Sequence, residues 1–317
     1  MTISALMLAA VAFALAWPVP ILLDRRRWTF RSPEIALVLW QAIALSGGVA
    51  MIASLALFGL APFGGGAFGA LGRFIAAIPG NDWPDGFTAL HAFSLISAAL
   101  LFTHLLLNLI VTTVKTARTR RRHREMLTLL SSPVPGRPRT RIITEDVPLA
   151  YCIPDALHGT TVVSEGLVRR LDPAQLEAVI EHERAHLSQR HTVVLTLFAS
   201  WASALPWFPI ANRALLSVEL LIEALADDTA GRRVPRRVVG EAIQAVSLHD
   251  GVRGGAEAQP AGSEGRTKIA SYEAALAIRV SRLGVPPAPL HPLSRVCVIG
   301  VSGLLFLGTI ALALWPM

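Results

Sequence analysis

Charge is scarce in this sequence. Asp, Glu, Lys and Arg make up 16% of its 317 residues, while 53% are hydrophobic; a soluble domain carries roughly 25% charged residues. Cysteine is nearly absent, with Cys152 and Cys297 the only two, too few for a disulfide scaffold or a four-cysteine zinc site. The first apolar run has no basic n-region before it and no small-residue cleavage site ahead of the arginines that follow it, so it does not read as a signal peptide. Internal repeats and paired intramembrane charges are also missing, which argues against a small transporter. Together these absences exclude a soluble globular protein, a disordered chain and a nucleic-acid-wrapping protein.

Long apolar runs are what the sequence has instead. Residues 3–23, 35–60, 87–114 and 296–314 are each apolar over about the 20 residues that a bilayer crossing needs. Basic residues cluster on one side of these runs. Arg25, Arg26, Arg27 and Arg31 lie between the first two, and Lys115, Arg118, Arg120, Arg121, Arg122 and Arg124 follow the third. Residues 61–86 hold a single basic residue, Arg73. Basic loops stay in the cytoplasm, so both termini are expected outside and residues 115–295 inside, in a multi-pass protein of a bacterial cytoplasmic membrane. The net charge of +7 is then topogenic, with contact to anionic lipid and no direct nucleic-acid binding. Trp17, Trp83 and Trp315 fit interfacial anchors, but Trp40 does not. His91, His104 and Asn108 fall near one face of the third run, where hydrogen bonding between helices is the plain expectation and a part in signal relay the alternative.

This divides the chain into three transmembrane helices over residues 1–114, a cytoplasmic domain over 115–292 and a fourth transmembrane helix over 293–317. Within the domain, the Pro-rich residues 131–139 read as a linker. RIITED, LAYCIP and GTTVVS read as strands, and residues 167–170 and 173–191 as helices. Asp172-Pro173 supplies an N-cap and a first-turn proline. Residues 251–265 are rich in Gly and polar side chains and are expected to be mobile. Residues 193–210 are almost continuously apolar but interrupted by Pro206 and Pro209. They are expected to be buried or to skim the membrane, because a crossing would separate the two halves of the site described next.

His182-Glu183-Arg184-Ala185-His186 has the form H-E-x-x-H inside a helical pattern. One helical turn puts both imidazoles on the same face, where they can reach one zinc ion. Glu183 borders the open coordination position and can take a proton from water there. A catalytic zinc needs a third protein ligand, and Glu223 is the candidate, with Glu219 its competitor one turn earlier. Asp227, one turn after Glu223, can bond the far nitrogen of a ligating histidine. Three further residues are candidates for substrate or transition-state contact. His191 could do this or steady the site, the alternative being interaction with a helix C-terminal dipole. Arg279 is the second, for which surface or headgroup contact is the alternative reading, as it is for Arg282. Tyr151 is the third, within residues 150–154 as a strand edge for an extended peptide. His158 is assigned no role.

These motifs resemble those of the BlaR/MecR family of membrane zinc metallopeptidases, and are similar also to the HtpX and CAAX-protease group. The resemblance is carried by AYCIPDALHGTTVVSEGLVRRLDPAQLEAVIEHERAHLSQRH, by ELLIEALADDTA, and by Pro206-Trp207-Phe208-Pro209. The family's third-ligand signature, Glu-x-x-Ala-Asp, falls on Glu223, Ala226 and Asp227. Three spans before the protease domain and one after it is the BlaR/MecR arrangement, whereas HtpX-like enzymes carry two spans before the H-E-x-x-H helix. Typical relatives continue into an extracellular penicillin-binding sensor domain that this sequence is expected to lack. The resemblance implies a mainly α fold: a four-helix transmembrane bundle with an inserted cytoplasmic α+β zincin-like (gluzincin) metalloprotease domain. It implies a zinc-dependent endopeptidase acting in transmembrane signalling, such as a β-lactam or cell-wall stress response, on a cytoplasmic protein such as a transcriptional repressor, or on itself. An HtpX-like quality-control protease is the alternative within the class. A non-catalytic, zinc-braced sensor or scaffold is the alternative outside it. Homo-oligomerisation is left open.

Overall fold

The computed structural model describes residues 1–24, 26–134, 136–137, 139–153, 159–206, 209–256 and 263–315. Helices dominate. In chain order they are α1 (Thr2–Ala16), α2 (Pro18–Asp24), α3 (Pro33–Leu60), α4 (Ala67–Gly80), α5 (Ala89–Leu130), α6 (Glu165–Arg170), α7 (Pro173–Ser188), α8 (His191–Ala204), α9 (Pro209–Ala230), α10 (Arg236–Ala256), α11 (Ser263–Gly284) and α12 (Pro292–Leu314). Four short strands stand between α5 and α6: β1 (Ser131–Pro133), β2 (Thr140–Ile143), β3 (Ala150–Ile153) and β4 (Thr160–Ser164).

Two compact units emerge. The first is Met1–Val111, Phe198–Val218 and Pro289–Met317; the second is Thr112–Leu197 and Glu219–Ala288. The apolar segment after α7 is thus divided, with Phe198–Val218 grouped among the long apolar helices rather than with residues 115–292.

Four stretches are long and apolar enough to cross a membrane: Thr2–Asp24, Pro33–Phe63, Ala89–Leu127 and Pro292–Leu314; all but residues 112–127 fall in the first unit. The α8 helix is too short to be among them. The α3 helix is central, with α1 and α12 packed along it. Small side chains permit the approach. Ala5, Leu8, Ala50 and Leu57 form one buried cluster, with Leu312 and Ala313 against it, as expected where lipid-like surfaces pack by close contact. Gly48 leaves room for Trp201, whose ring would stand 2.8 Å from a Cβ there. Trp40, anomalous as an interfacial anchor, is buried inside this unit. His104 donates from Nε2 to the Ala204 carbonyl at 3.0 Å, and Asn108 donates to the Ser200 carbonyl at 2.5 Å. Both bonds fall on the C-terminal turns of α8, where the Ala204 carbonyl has no intrahelical partner. This is the interhelical bonding expected of them. His91 does something else, stacking on Phe58 with ring centroids 5.0 Å apart.

The second unit holds the sheet, in the order β1-β2-β4-β3. The β2–β4 pair is parallel and the other two are antiparallel. The segment expected as a linker therefore contributes a strand, β1, paired with β2 through Ser131–Pro133. Pro133 is tolerated because β1 is an edge strand. The opposite edge is β3. Ser164 caps α6 by accepting from the Leu167 amide. Asp172 and Gln175 form a reciprocal capping box on α7 with Pro173 in the first turn. Val163, Leu167, Leu171 and Ile180 bury between sheet and α7, and Ala178, Ala230, Val234, Val239, Ala242 and Leu283 between α7, α9, α10 and α11. Residues 251–256 and 263–265 are helical, extending α10 and starting α11, rather than loop. Residues 257–262 lie outside the described residues, as do Pro154, His158, Trp207 and Phe208 of the sequence expectations.

Candidate active site

Three donor atoms converge in the second unit. The Nε2 atoms of His182 and His186, on successive turns of α7, lie 3.1 Å apart. Glu223 of α9 reaches both, with Oε2 3.3 Å from His182 Nε2 and Oε1 3.4 Å from His186 Nε2. Donors placed tetrahedrally on a zinc ion at 2.0–2.1 Å stand about 3.3 Å from one another. The His182–His186–Glu223 set therefore fits one zinc ion, and it is the metal-competent cluster among the described residues. Glu219, the competitor for the third position, is exposed on α9 and stands outside the cluster.

A layer of charge lies behind the donors. Asp227, only 1% exposed, places Oδ1 2.9 Å from His182 Nδ1, near enough for an ion pair although not aligned as a full hydrogen bond. Arg279 of α11 donates from Nε and a terminal nitrogen to both Asp227 oxygens at 2.8 Å, and its other terminal nitrogen lies 2.9 Å from Glu223 Oε2. The neighbouring pair repeats the pattern: Arg282, three residues on, donates to both oxygens of Asp228 and to the Ala224 carbonyl. Neither arginine is the surface or headgroup contact of the alternative reading, because α11 packs them against the acidic end of α9. Their signal was the spacing of two arginines three apart on α11 against adjacent aspartates on α9. Which carboxylates they would meet, more than fifty residues away, depends on tertiary packing.

The α7 helix ends at Ser188, short of the expected boundary at His191. Arg190 adopts a left-handed φ of 51° and the chain restarts as α8 at His191. His191 therefore opens a helix rather than ending one. It is buried, with Nδ1 3.0 Å from His186 Nδ1 and Nε2 2.8 Å from Gln189 Oε1. The contact to the far nitrogen of His186 places it behind that residue.

Glu183 and Cys152 meet on the strand side. The Cys152 thiol of β3 lies close enough to the Glu183 carboxylate for each to shift the other's proton affinity, a neighbour that motif spacing did not reveal. Burial pushes the thiol up to about 12, and the carboxylate adds to this. Burial likewise raises Glu183 above the usual carboxylate range, with Glu223 adding to it and His182 opposing. Burial works against charge on His182, but Asp227 and Glu223 outweigh it and hold the ring up at about 9. Burial and the neighbouring His182 bring His186 down to about 4. Burial would raise Glu223 and Asp227, yet His182 and Arg279 hold each at about 2.

A cavity of about 180 Å³ opens beside these groups. His182, Glu183, Glu223 and Arg279 form its polar side. Val179 of α7 with Val239, Ile243 and Val246 of α10 form an apolar wall that sequence patterns did not single out. Tyr151 lies on β3, whose register with β4 leaves its other edge unpaired by the sheet.

Residues 114–229 match the model of Peptidase family M48. This segment contains both the paired histidines and Glu223. Curated relatives agree with it at low identity. The chain is 36% identical over 69 residues to a "Protease HtpX homolog" of Acidiphilium cryptum (strain JF-5), covering 22% of this chain and 24% of the relative. It is 38% identical over 72 residues to the one of Pyrococcus furiosus, covering 22% and 24%. It is 31% identical over 93 residues to the one of Burkholderia multivorans, covering 29% and 31%. The aligned segment spans about a quarter of the length of the first of these relatives. No solved structure matches the chain.

Proposed function

We propose that the protein is an integral membrane zinc endopeptidase. The convergence of His182, His186 and Glu223 at tetrahedral spacing, with Glu183 on the adjoining wall of an apolar-lined cavity, carries this reading. A zinc ion on those three ligands, with one position open, would polarise a peptide carbonyl and acidify water. Glu183 is then the general base: it takes the proton from the attacking water and delivers it to the leaving amine. Its raised proton affinity suits both halves of that transfer. Asp227 and Arg279 fix His182 and Glu223 from behind, and His191 does the same for His186. With its guanidinium bound to two carboxylates, Arg279 is better suited to this anchoring than to transition-state contact. An extended substrate would add to the free edge of β3 at Tyr151, with an apolar side chain in the α7–α10 cavity.

Two readings of the substrate follow. The M48 match and the HtpX-named relatives support turnover of membrane proteins. The arrangement of three candidate spans before the site and one after it supports a BlaR/MecR-like signalling protease acting on a cytoplasmic repressor. In either case the protease domain faces the cytoplasm and both termini lie outside, as the basic residues after the third span indicate. Trapping with Glu183→Gln in native membranes separates the two. One dedicated soluble protein bound to the variant supports signalling, and a mixture of misfolded membrane proteins supports quality control. If nothing is bound beyond what Glu223→Ala retains, the endopeptidase reading fails.

A further inference from the structure

We infer that α4 is a lipid-embedded surface helix, lying in the boundary between headgroups and acyl chains at the end of α3. Phe68, Leu71, Ile75 and Ile78 are between 44% and 72% exposed. Their spacing of three, four and three residues makes one continuous stripe. A second face, Ala70, Phe74 and Ala77, packs on Leu60 and Phe63. The third face holds Gly69, Gly72 and Ala76 around the helix's single charge, Arg73. That charge turns back on its own chain, donating to the Phe63 carbonyl at 2.7 Å and to that of Gly64.

At about 21 Å for 14 residues, α4 is too short to cross a hydrocarbon core of about 30 Å. It is also tethered at bilayer level. Only residues 64–66 separate it from the candidate span ending at Phe63, a reach of about 11 Å at full extension. Gly64 and Gly65 make the reversal with φ of 68° and 69°, and a Cβ on Gly65 would stand 2.4 Å from the Arg73 guanidinium. Residues 81–88 lead directly into the next candidate span at Ala89. Aromatic rings gather at this level: Phe63 meets Phe74 and Phe87 edge-on, and Trp83 stacks on Phe87 at 5.1 Å. Aromatic side chains, Trp above all, concentrate where bilayer meets water. The occupant that tether, stripe and aromatics select is the bilayer that holds α3 and α5, with hydrocarbon against the stripe.

Single nitroxide-labelled cysteines along α4 in lipid nanodiscs test this, in a Cys152→Ser/Cys297→Ser background. Labels at 68, 71, 75 and 78 should collide more with oxygen than with a water-soluble nickel complex, and labels at 69 and 76 the reverse. Stripe positions open to nickel would place α4 in water. Stripe positions shielded from both reagents would place a protein, such as a second copy, on it. Either result overturns the inference. If the variants fold poorly, the unaltered chain can be photolabelled with a phospholipid carrying a diazirine high on its acyl chain. Adducts in residues 67–80 are expected. Label on α5 and none there would contradict the proposal. Neither readout depends on proteolysis, so it stands or fails separately from the peptidase assignment.

Discussion

Arg279 closes both of its donor edges on the site: two nitrogens grip the carboxylate of Asp227 at 2.8 Å, and a third touches Glu223. Fifty-two residues separate Arg279 from Asp227 in the chain, and neither is exposed beyond 17% at its side chain. Removing one partner of a buried pair strands the other charge, which costs about 3–5 kcal/mol. Arg279→Met should therefore lower thermal stability clearly in the zinc-free protein. It should also weaken zinc binding by about 10- to 100-fold, the usual effect of losing support behind a ligand. Thermal unfolding in detergent and zinc content after dialysis against a weak chelator measure the two effects. Arg279→Lys, which cannot make the two-pronged contact, should fall between.

Zinc affinity should depend on pH in a specific window. Zinc-free His182 holds its proton to about 9 because Asp227 and Glu223 outweigh burial. That is above the unfolded value of about 6.5. Its charged form therefore stabilises the zinc-free fold fully below about 6.5, and this contribution is lost as pH rises through about 9. Zinc must displace the same proton, so apparent affinity should rise about tenfold per pH unit from 7 towards 9 and then level off. His186, held down at about 4, adds no dependence in that window. Chelator competition at pH 7 and 8.5 checks the slope, and Asp227→Asn should flatten it.

Gly166 allows a close backbone crossing. A Cβ there would stand 1.9 Å from the Asp146 carbonyl oxygen, while the Gly166 amide donates to Glu145 at 2.9 Å. Since the obstacle is backbone, Gly166→Ala should destabilise by at least the roughly 1–3 kcal/mol of ordinary overpacking. A lowered melting temperature with unchanged zinc stoichiometry in the folded fraction is the expected result.

The apolar wall beside the site predicts selectivity. Val246→Phe would narrow the 180 Å³ cavity from its α10 wall. Cleavage of peptides bearing a large apolar side chain should fall, chiefly through KM, with smaller side chains spared. Peptide libraries read by mass spectrometry test this.

Much of this was legible in the sequence, for identifiable reasons. Membrane spans are a matter of length and composition. The His182–His186 pair and the Glu223–Asp227 pair are each one helical turn apart, a local property. What escaped is non-local. Arg279 and Arg282 find Asp227 and Asp228 only when α11 packs on α9. Cys152 meets Glu183 only when β3 lies beside α7. The α10 wall needs the folded domain. Pro-rich residues 131–139 resembled a linker because composition does not report that an edge strand can accommodate Pro133. His191 looked like a continuation of α7 because the left-handed turn at Arg190 carries no glycine to mark it.

On the proposed function, a zinc held by His182, His186 and Glu223 works with Glu183 as base. Proteolysis by Glu183→Gln, measured on the same purified sample as its bound zinc, tests it most directly. One zinc per chain is expected, as in the unaltered protein, with peptide cleavage reduced by about 10²–10⁴-fold. Undiminished cleavage at full zinc occupancy would contradict it.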